Sequence, residues 1–218
     1  MFVGHFGVAF AAKKFAPRTN LAVAILAGEF VDVVWPIFVL LGIEKVRIVP
    51  GLMAVSPFDF VSYPWSHSLL MSIVWGTIFG GVYYAIRRDG KAAMVMALVV
   101  VSHWFLDFLT HRPDLQLAPG LAEKYGLGLW DSWLCTYIVE LAIYFGGVAI
   151  YVQTTRARDG KGRWGFISFV VLLLILYVVS LQGPPPPAIN ATLISMEFAT
   201  ALLFAWAWWF DKYRDVVA

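Results

Sequence analysis

Cysteine is nearly absent. Cys135 is the only one, which excludes an intrachain disulfide and any zinc site built on several thiolates. Sitting in an apolar stretch, it is expected as a small buried core residue. Charge is scarce as well: Asp, Glu, Lys and Arg make up 14% of 218 residues and almost cancel, leaving a formal net charge of +2. So small an excess offers no footing for a nucleic-acid backbone. The first apolar run, from Met1 to Ala12, has no basic stretch before it, and Lys13-Lys14 follow it, the reverse of a cleavable signal peptide. No internal repeat is evident, so the pattern of an inverted-repeat transporter is missing.

What the chain has in abundance is apolar length. It is 61% hydrophobic, with a mean hydropathy of +0.76. This composition predicts an all-α polytopic transmembrane bundle, with residues 1–218 forming a single integral membrane domain. A bilayer core requires ~20 apolar residues per helix. Runs of about that length fall at 20–42, 65–87, 91–111, 130–153, 164–182 and 190–210. A shorter run, 2–16, is expected as a half-spanning or interfacial helix.

The connections alternate in charge. Lys13, Lys14, Arg18, Arg87, Arg88, Lys91, Arg156, Arg158, Lys161, Arg163, Lys212 and Arg214 fall on one side of a six-span arrangement, 12 of the 16 basic residues; Lys45, Arg47, Arg112 and Lys124 fall on the other. The positive-inside rule then predicts an inner (plasma) membrane protein with both termini cytoplasmic. The outer links 43–64 and 112–129 are long, which marks them as ordered or functional segments. The third, Gly183-Pro184-Pro185-Pro186-Pro187, is short and reads as a stiff spacer.

This topology turns sequence into depth at ~1.5 Å per helical residue. His103 lies roughly 18 Å above the basic edge and Asp107 roughly 24 Å, with His111 at the outer end of the same span. His103, Asp107 and His111 are spaced by four, so they form one stripe on a helix. Asp32 falls roughly 18 Å up the first span, with Glu29 one turn below it. His67 begins the second span, Glu140 lies roughly 15 Å below the outer edge, and His5 comes to roughly 12 Å if the short helix points up from the basic face. Residues from five segments thus converge in the outer half of the membrane, where ionisable groups are costly and mark function. His5, Asp32, His67, His103, Asp107 and His111 are candidate metal ligands, since His and Asp suit zinc and similar divalent ions. Glu140 and Glu29 are candidates for proton transfer. Arg112 at the rim is a candidate phosphate ligand, its planar guanidinium reaching two oxygens at once. Plainer roles exist for each: a helix–helix hydrogen bond for a lone His, capping or a local ion pair for His111 and Asp114, a protonated structural carboxyl for Glu29 or Glu140. Glu197, alone on the last span, is expected to be of that structural kind.

The ordered set Gly4-His5, Glu29-x-x-Asp32 before Trp35-Pro36, Ser66-His67-Ser68 and His103-x-x-x-Asp107 resembles the bacterial and archaeal family of membrane-bound metal-dependent hydrolases. The order His, Asp, His, His-x-x-x-Asp also resembles the ligand pattern of zinc-dependent phospholipase C. Many members of the first family carry Pro-Asp-x-Asp and His-Arg-Gly-x-Thr-His-Ser, where this chain has Glu29-Phe30-Val31-Asp32 and Trp65-Ser66-His67-Ser68; one histidine and one arginine are therefore missing. The resemblance implies a hydrolase using a divalent metal, zinc above all, on a phosphoester or ester of a lipid or lipid-linked substrate. Two readings from other classes stay open: a non-catalytic subunit of a membrane-protein complex, with or without a structural metal, and a transporter or metal permease.

Overall fold

The computed structural model describes residues 1–217. Among the described residues, five helices are long and apolar enough to cross a bilayer: α5 (Leu69–Arg87), α6 (Gly90–Thr110), α7 (Trp133–Thr154), α8 (Gly160–Gln182) and α9 (Ile189–Asp211). Their 19 to 23 residues give lengths of roughly 29–35 Å. A sixth crossing is broken: α2 (Leu21–Gly28) and α3 (Phe30–Leu40) meet at Glu29 with a bend of 52°. The all-α polytopic bundle is thus the observed architecture. The expected uninterrupted first span is not, because the helix stops at Gly28 and restarts one residue later. α8 begins at Gly160 rather than at 164.

Polar residues between the apolar runs end and start the helices. Asn20 caps α2 at Ala22 N (2.9 Å), Asp89 caps α6 at Ala92 N (3.0 Å) and Asp159 caps α8 at Gly162 N (3.0 Å). Ser68 and Ser132 do the same for α5 and α7. Each side chain satisfies an amide that has no partner within its helix.

The short helix α1 (Val3–Ala12) is the centre of the bundle. Val3, Gly4, His5, Phe6, Gly7, Ala9, Phe10 and Ala12 are all buried, as expected of a helix apolar on every side. Phe10 meets Tyr144, Phe166 and Phe169 edge to face at 6.0–6.3 Å. Gly7 and Gly147 let α1 and α7 touch backbone to backbone: a Cβ on Gly147 would lie 1.9 Å from Gly7 O. Small residues allow such approaches between membrane helices.

The two ends of the bundle differ. At the basic end, Lys13 Nζ donates to Asp211 Oδ2 (2.7 Å) and to Thr19 O (2.8 Å), while Leu21 N and Tyr151 Oη also donate to the Asp211 carboxylate. There β3 (Thr155–Ala157) pairs antiparallel with β4 (Arg214–Val216). At the other end the expected loop 43–64 contains a hairpin, β1 (Lys45–Ile48) antiparallel to β2 (Phe58–Ser62), followed by the single turn α4 (Pro64–His67). A second apolar cluster of Trp35, Phe60, Tyr63, Trp104, Leu115 and Leu193 joins this hairpin to α3, α6 and α9. Met1 is buried, at the opposite end of α1 from Lys13. Cys135 is exposed rather than buried; it sits on the outward surface of α7, beside Leu134, which is 68% exposed.

Candidate metal centre

Asp107, in the last turn of α6, is the hub. The Nε2 atoms of all four histidines approach its carboxylate: His5 at 3.1 Å, His103 at 3.1 Å, His111 at 3.7 Å and His67 at 3.8 Å. Asp32, on the first turn of α3, lies 3.1 Å from His67 Nε2 and 3.7 Å from His103 Nε2. The His5 and His103 rings stack at 3.6 Å, 4° from parallel. Possible ligand atoms of His5, His103 and Asp107 lie within 4.8 Å of one another, as do those of Asp32, His67 and His103.

The rear nitrogens explain this orientation. The break after Gly28 leaves its carbonyl to accept from His103 Nδ1 at 2.8 Å. An acceptor there fixes the proton on Nδ1 and turns Nε2 inward. His67 Nδ1 lies 2.7 Å from Ser66 Oγ, which donates to Glu44 Oε2 at 2.7 Å. Glu44 Oε1 in turn accepts from the Trp65 and Ser66 amides at 2.8 Å each. His111 Nδ1 faces Asp114 Oδ1 at 3.1 Å, and Tyr63 Oη donates to the same oxygen. Three histidines are therefore held by their Nδ1 atoms and present Nε2 to carboxylates. Lone pairs turned on carboxylate oxygens repel unless a proton or cation lies between them. His103 Nε2 is buried with no hydrogen bond of its own, and His5 Nδ1 likewise. This donor set fits a zinc-like ion.

The cluster forms the inner end of a cavity of about 620 Å³. Glu29, Asp32, His67, Asp107, His111 and Glu140 line it, with Trp35, Phe60 and Trp130 among its aromatic walls. Glu140 Oε2 accepts from Phe2 N at 2.8 Å, while its Oε1 and Glu29 Oε1 are buried without partners. Met1 also lines the cavity, and its backbone nitrogen lies 2.5 Å from Asp107 Oδ1.

The structure thus gathers the six candidate ligands His5, Asp32, His67, His103, Asp107 and His111, with Glu29 and Glu140 on the same cavity. Arg112 departs from expectation. It does not line the cavity, because Asp59 and Asp114 hold its guanidinium. Asp59 also binds Arg47 at 2.6 Å, so ion pairs run from the exposed hairpin to His111. Burial works against ionising Asp59, but the hydrogen bond from Arg47 and the charge of Arg112 outweigh it and hold the carboxyl below its ordinary range. Glu197, expected as a structural carboxyl, also lines the cavity. The sequence assigned no role to Tyr63, Glu44 or Asp59. Their partners are 51, 22 and 53 residues away, and only the hairpin brings them together.

The family described as YdjM inner membrane protein matches the chain over residues 1–184. No curated protein and no solved structure matches it.

Proposed function

The chain belongs to the YdjM inner membrane protein family, and from that premise we propose that this multi-pass membrane protein is a metal-dependent hydrolase acting on a phosphoester or ester of a lipid or lipid-linked substrate. The observation that carries the reading is the approach of all four histidine Nε2 atoms to Asp107 at the inner end of a membrane-depth cavity where Glu29 and Glu140 each keep one buried carboxylate oxygen without a hydrogen bond.

His5, His103 and Asp107 would hold one ion, with Asp32, His67 and His111 completing that site or holding a second. When bound, such an ion polarises the reacting oxygen and makes a water acidic near neutral pH. Glu140 is the better proton acceptor of the two glutamates. The Phe2 amide fixes its Oε2, which leaves Oε1 free to take a proton from water and return it to the leaving group. Trp130 and Phe60, packed 4.4 Å and 4.9 Å from the His111 ring, limit water and so strengthen electrostatic interactions inside. Arg112 acts at a distance, ordering Asp114 and through it His111. The basic end of the bundle faces the cytoplasm and the cavity the outer side.

The test is elemental analysis of protein purified without chelator, joined to assays of lipid phosphates and esters with zinc, manganese and cobalt. Glu140→Gln is expected to retain metal and lose turnover. Metal-loaded wild-type protein that turns over none of these substrates would sink the hydrolase reading.

A further inference from the structure

The two ends of the cavity differ in closure. At the inner end Asp107, His111 and Glu140 are 1%, 3% and 0% exposed. Toward α8 and α9 the wall opens: Val179 and Met196 line the cavity yet are 60% and 37% exposed. Lining residues this open mark a slot between the two helices. Val179 lies three residues before the end of α8, and Met196 seven residues after the start of α9. These positions are roughly 5 Å and 10 Å below the outer ends. The slot therefore faces the hydrocarbon of the bilayer, and Pro184–Pro186 line the cavity from the link above it.

The chemistry of the slot is that of an amphiphile. Leu176, Val179, Met196 and Leu203 give it apolar walls. Among the described residues, Glu197 is the only ionisable side chain that α8 or α9 contributes, and no Lys or Arg lines the cavity. A carboxyl at membrane depth stays protonated unless a donor or cation compensates its charge. A metal held by the histidines would balance the carboxylates around it; Glu197 on the opposite helix pair is left for a group that arrives with the ligand.

We propose that the slot between α8 and α9 is a lateral port through which a membrane lipid with an amine-bearing head enters from the outer leaflet, its chains resting against Val179 and Met196 and its ammonium meeting Glu197. This deepens the hydrolase reading by naming the route and the lipid class, and rests on it for the chemistry at the inner end. The binding step does not require turnover, so the two can fail separately.

The experiment reconstitutes the full chain in vesicles of equal parts phosphatidylethanolamine and phosphatidylglycerol, re-extracts it in detergent, and reads retained lipid by native mass spectrometry and metal by elemental analysis. Wild-type protein is expected to retain phosphatidylethanolamine in preference. Ala199→Trp, which fills the slot, is expected to reduce retention about tenfold or more, with Met196→Trp as the alternative plug if the first variant does not fold. Glu197→Gln should remove the preference for the amine head. Leu202→Trp, on the exposed face of α9 (57% exposed), should behave as wild type. Equal retention by wild type and both plugged variants, or a wild-type preference for phosphatidylglycerol, would overturn the port. Retention as expected with no bound metal would leave the port standing and sink the hydrolase reading; bound metal with unchanged retention in the plugged variants would do the opposite.

Discussion

At Asp107 a single change of charge tests the proposed metal centre. Asp107→Asn keeps the shape but removes the anion that four histidines approach, and an amide is a much poorer ligand. Metal content and turnover should fall together; a variant that keeps its metal would remove Asp107 from the ligand set. Ser66→Ala probes one layer further out. It takes away the hydroxyl that links Glu44 to His67, and loss of such a support costs about 10–100-fold in metal affinity. A competition titration with a fluorescent chelator reads it, and unchanged affinity would mean that His67 is not a ligand. A third residue, Asp59, gives a pH signature. Its folded carboxyl is held below its ordinary range, so its contribution to stability is present above about pH 4 and lost as the pH falls through the folded value. Acid titration of tryptophan emission should show that loss in wild type and a flatter response in Asp59→Asn. The ligand candidates were legible in sequence because ionisable groups are rare at membrane depth and helical rise converts position into height. For Glu197 the helix was legible but not the direction: nothing in the sequence said which way α9 turns that side chain.

Among the elements, α1 contributes His5 through backbone contact rather than through length. Gly147→Ala would put a methyl 1.9 Å from Gly7 O, forcing α1 away from α7 at about 1–3 kcal/mol. The expected result is a lower melting temperature together with weaker metal binding, because His5 moves with its helix. Gly146→Ala, whose Cβ meets nothing within 4 Å, is the control. A Gly147 variant as stable and as metal-competent as that control would show that the close approach has no bearing on the site. The spans were legible from hydropathy, and the caps agree with the polar residues that interrupt it. The hairpin was hidden in what reads as a long loop, although Lys45-Val46-Arg47-Ile48 alternates polar and apolar as a strand does. The break at Glu29 left no mark in the sequence, since Ala27-Gly28-Glu29-Phe30 has no proline and its only helix-weakening residue is one glycine. The break frees the Gly28 carbonyl that holds His103.

On the scale of the molecule, the basic residues gather at one end and the cavity belongs to the other. Cysteine labelling should reach Lys124→Cys from outside the cell and Arg158→Cys only from within; the reverse pattern would move the cavity to the cytoplasmic leaflet. The basic end also carries the buried pair of Lys13 and Asp211. Asp211→Asn leaves that ammonium without its anion and should destabilise the fold by about 3–5 kcal/mol, read as a drop in thermal midpoint, with Lys13→Met in the same chain restoring part of it. The two-sided charge pattern was legible from sequence; the pairing of residues 198 positions apart was not, because it depends on α1 entering the centre of the bundle. That placement has a consequence for biogenesis. α1 is too short to be threaded across a bilayer as a span of its own, and its principal seat, α7, is synthesised only after α2 to α6. α1 must therefore wait at the membrane surface while its site is assembled, so ribosome-bound chains that stop short of α7 should leave His5 open to water-soluble reagents, and chains that extend beyond α7 should protect it.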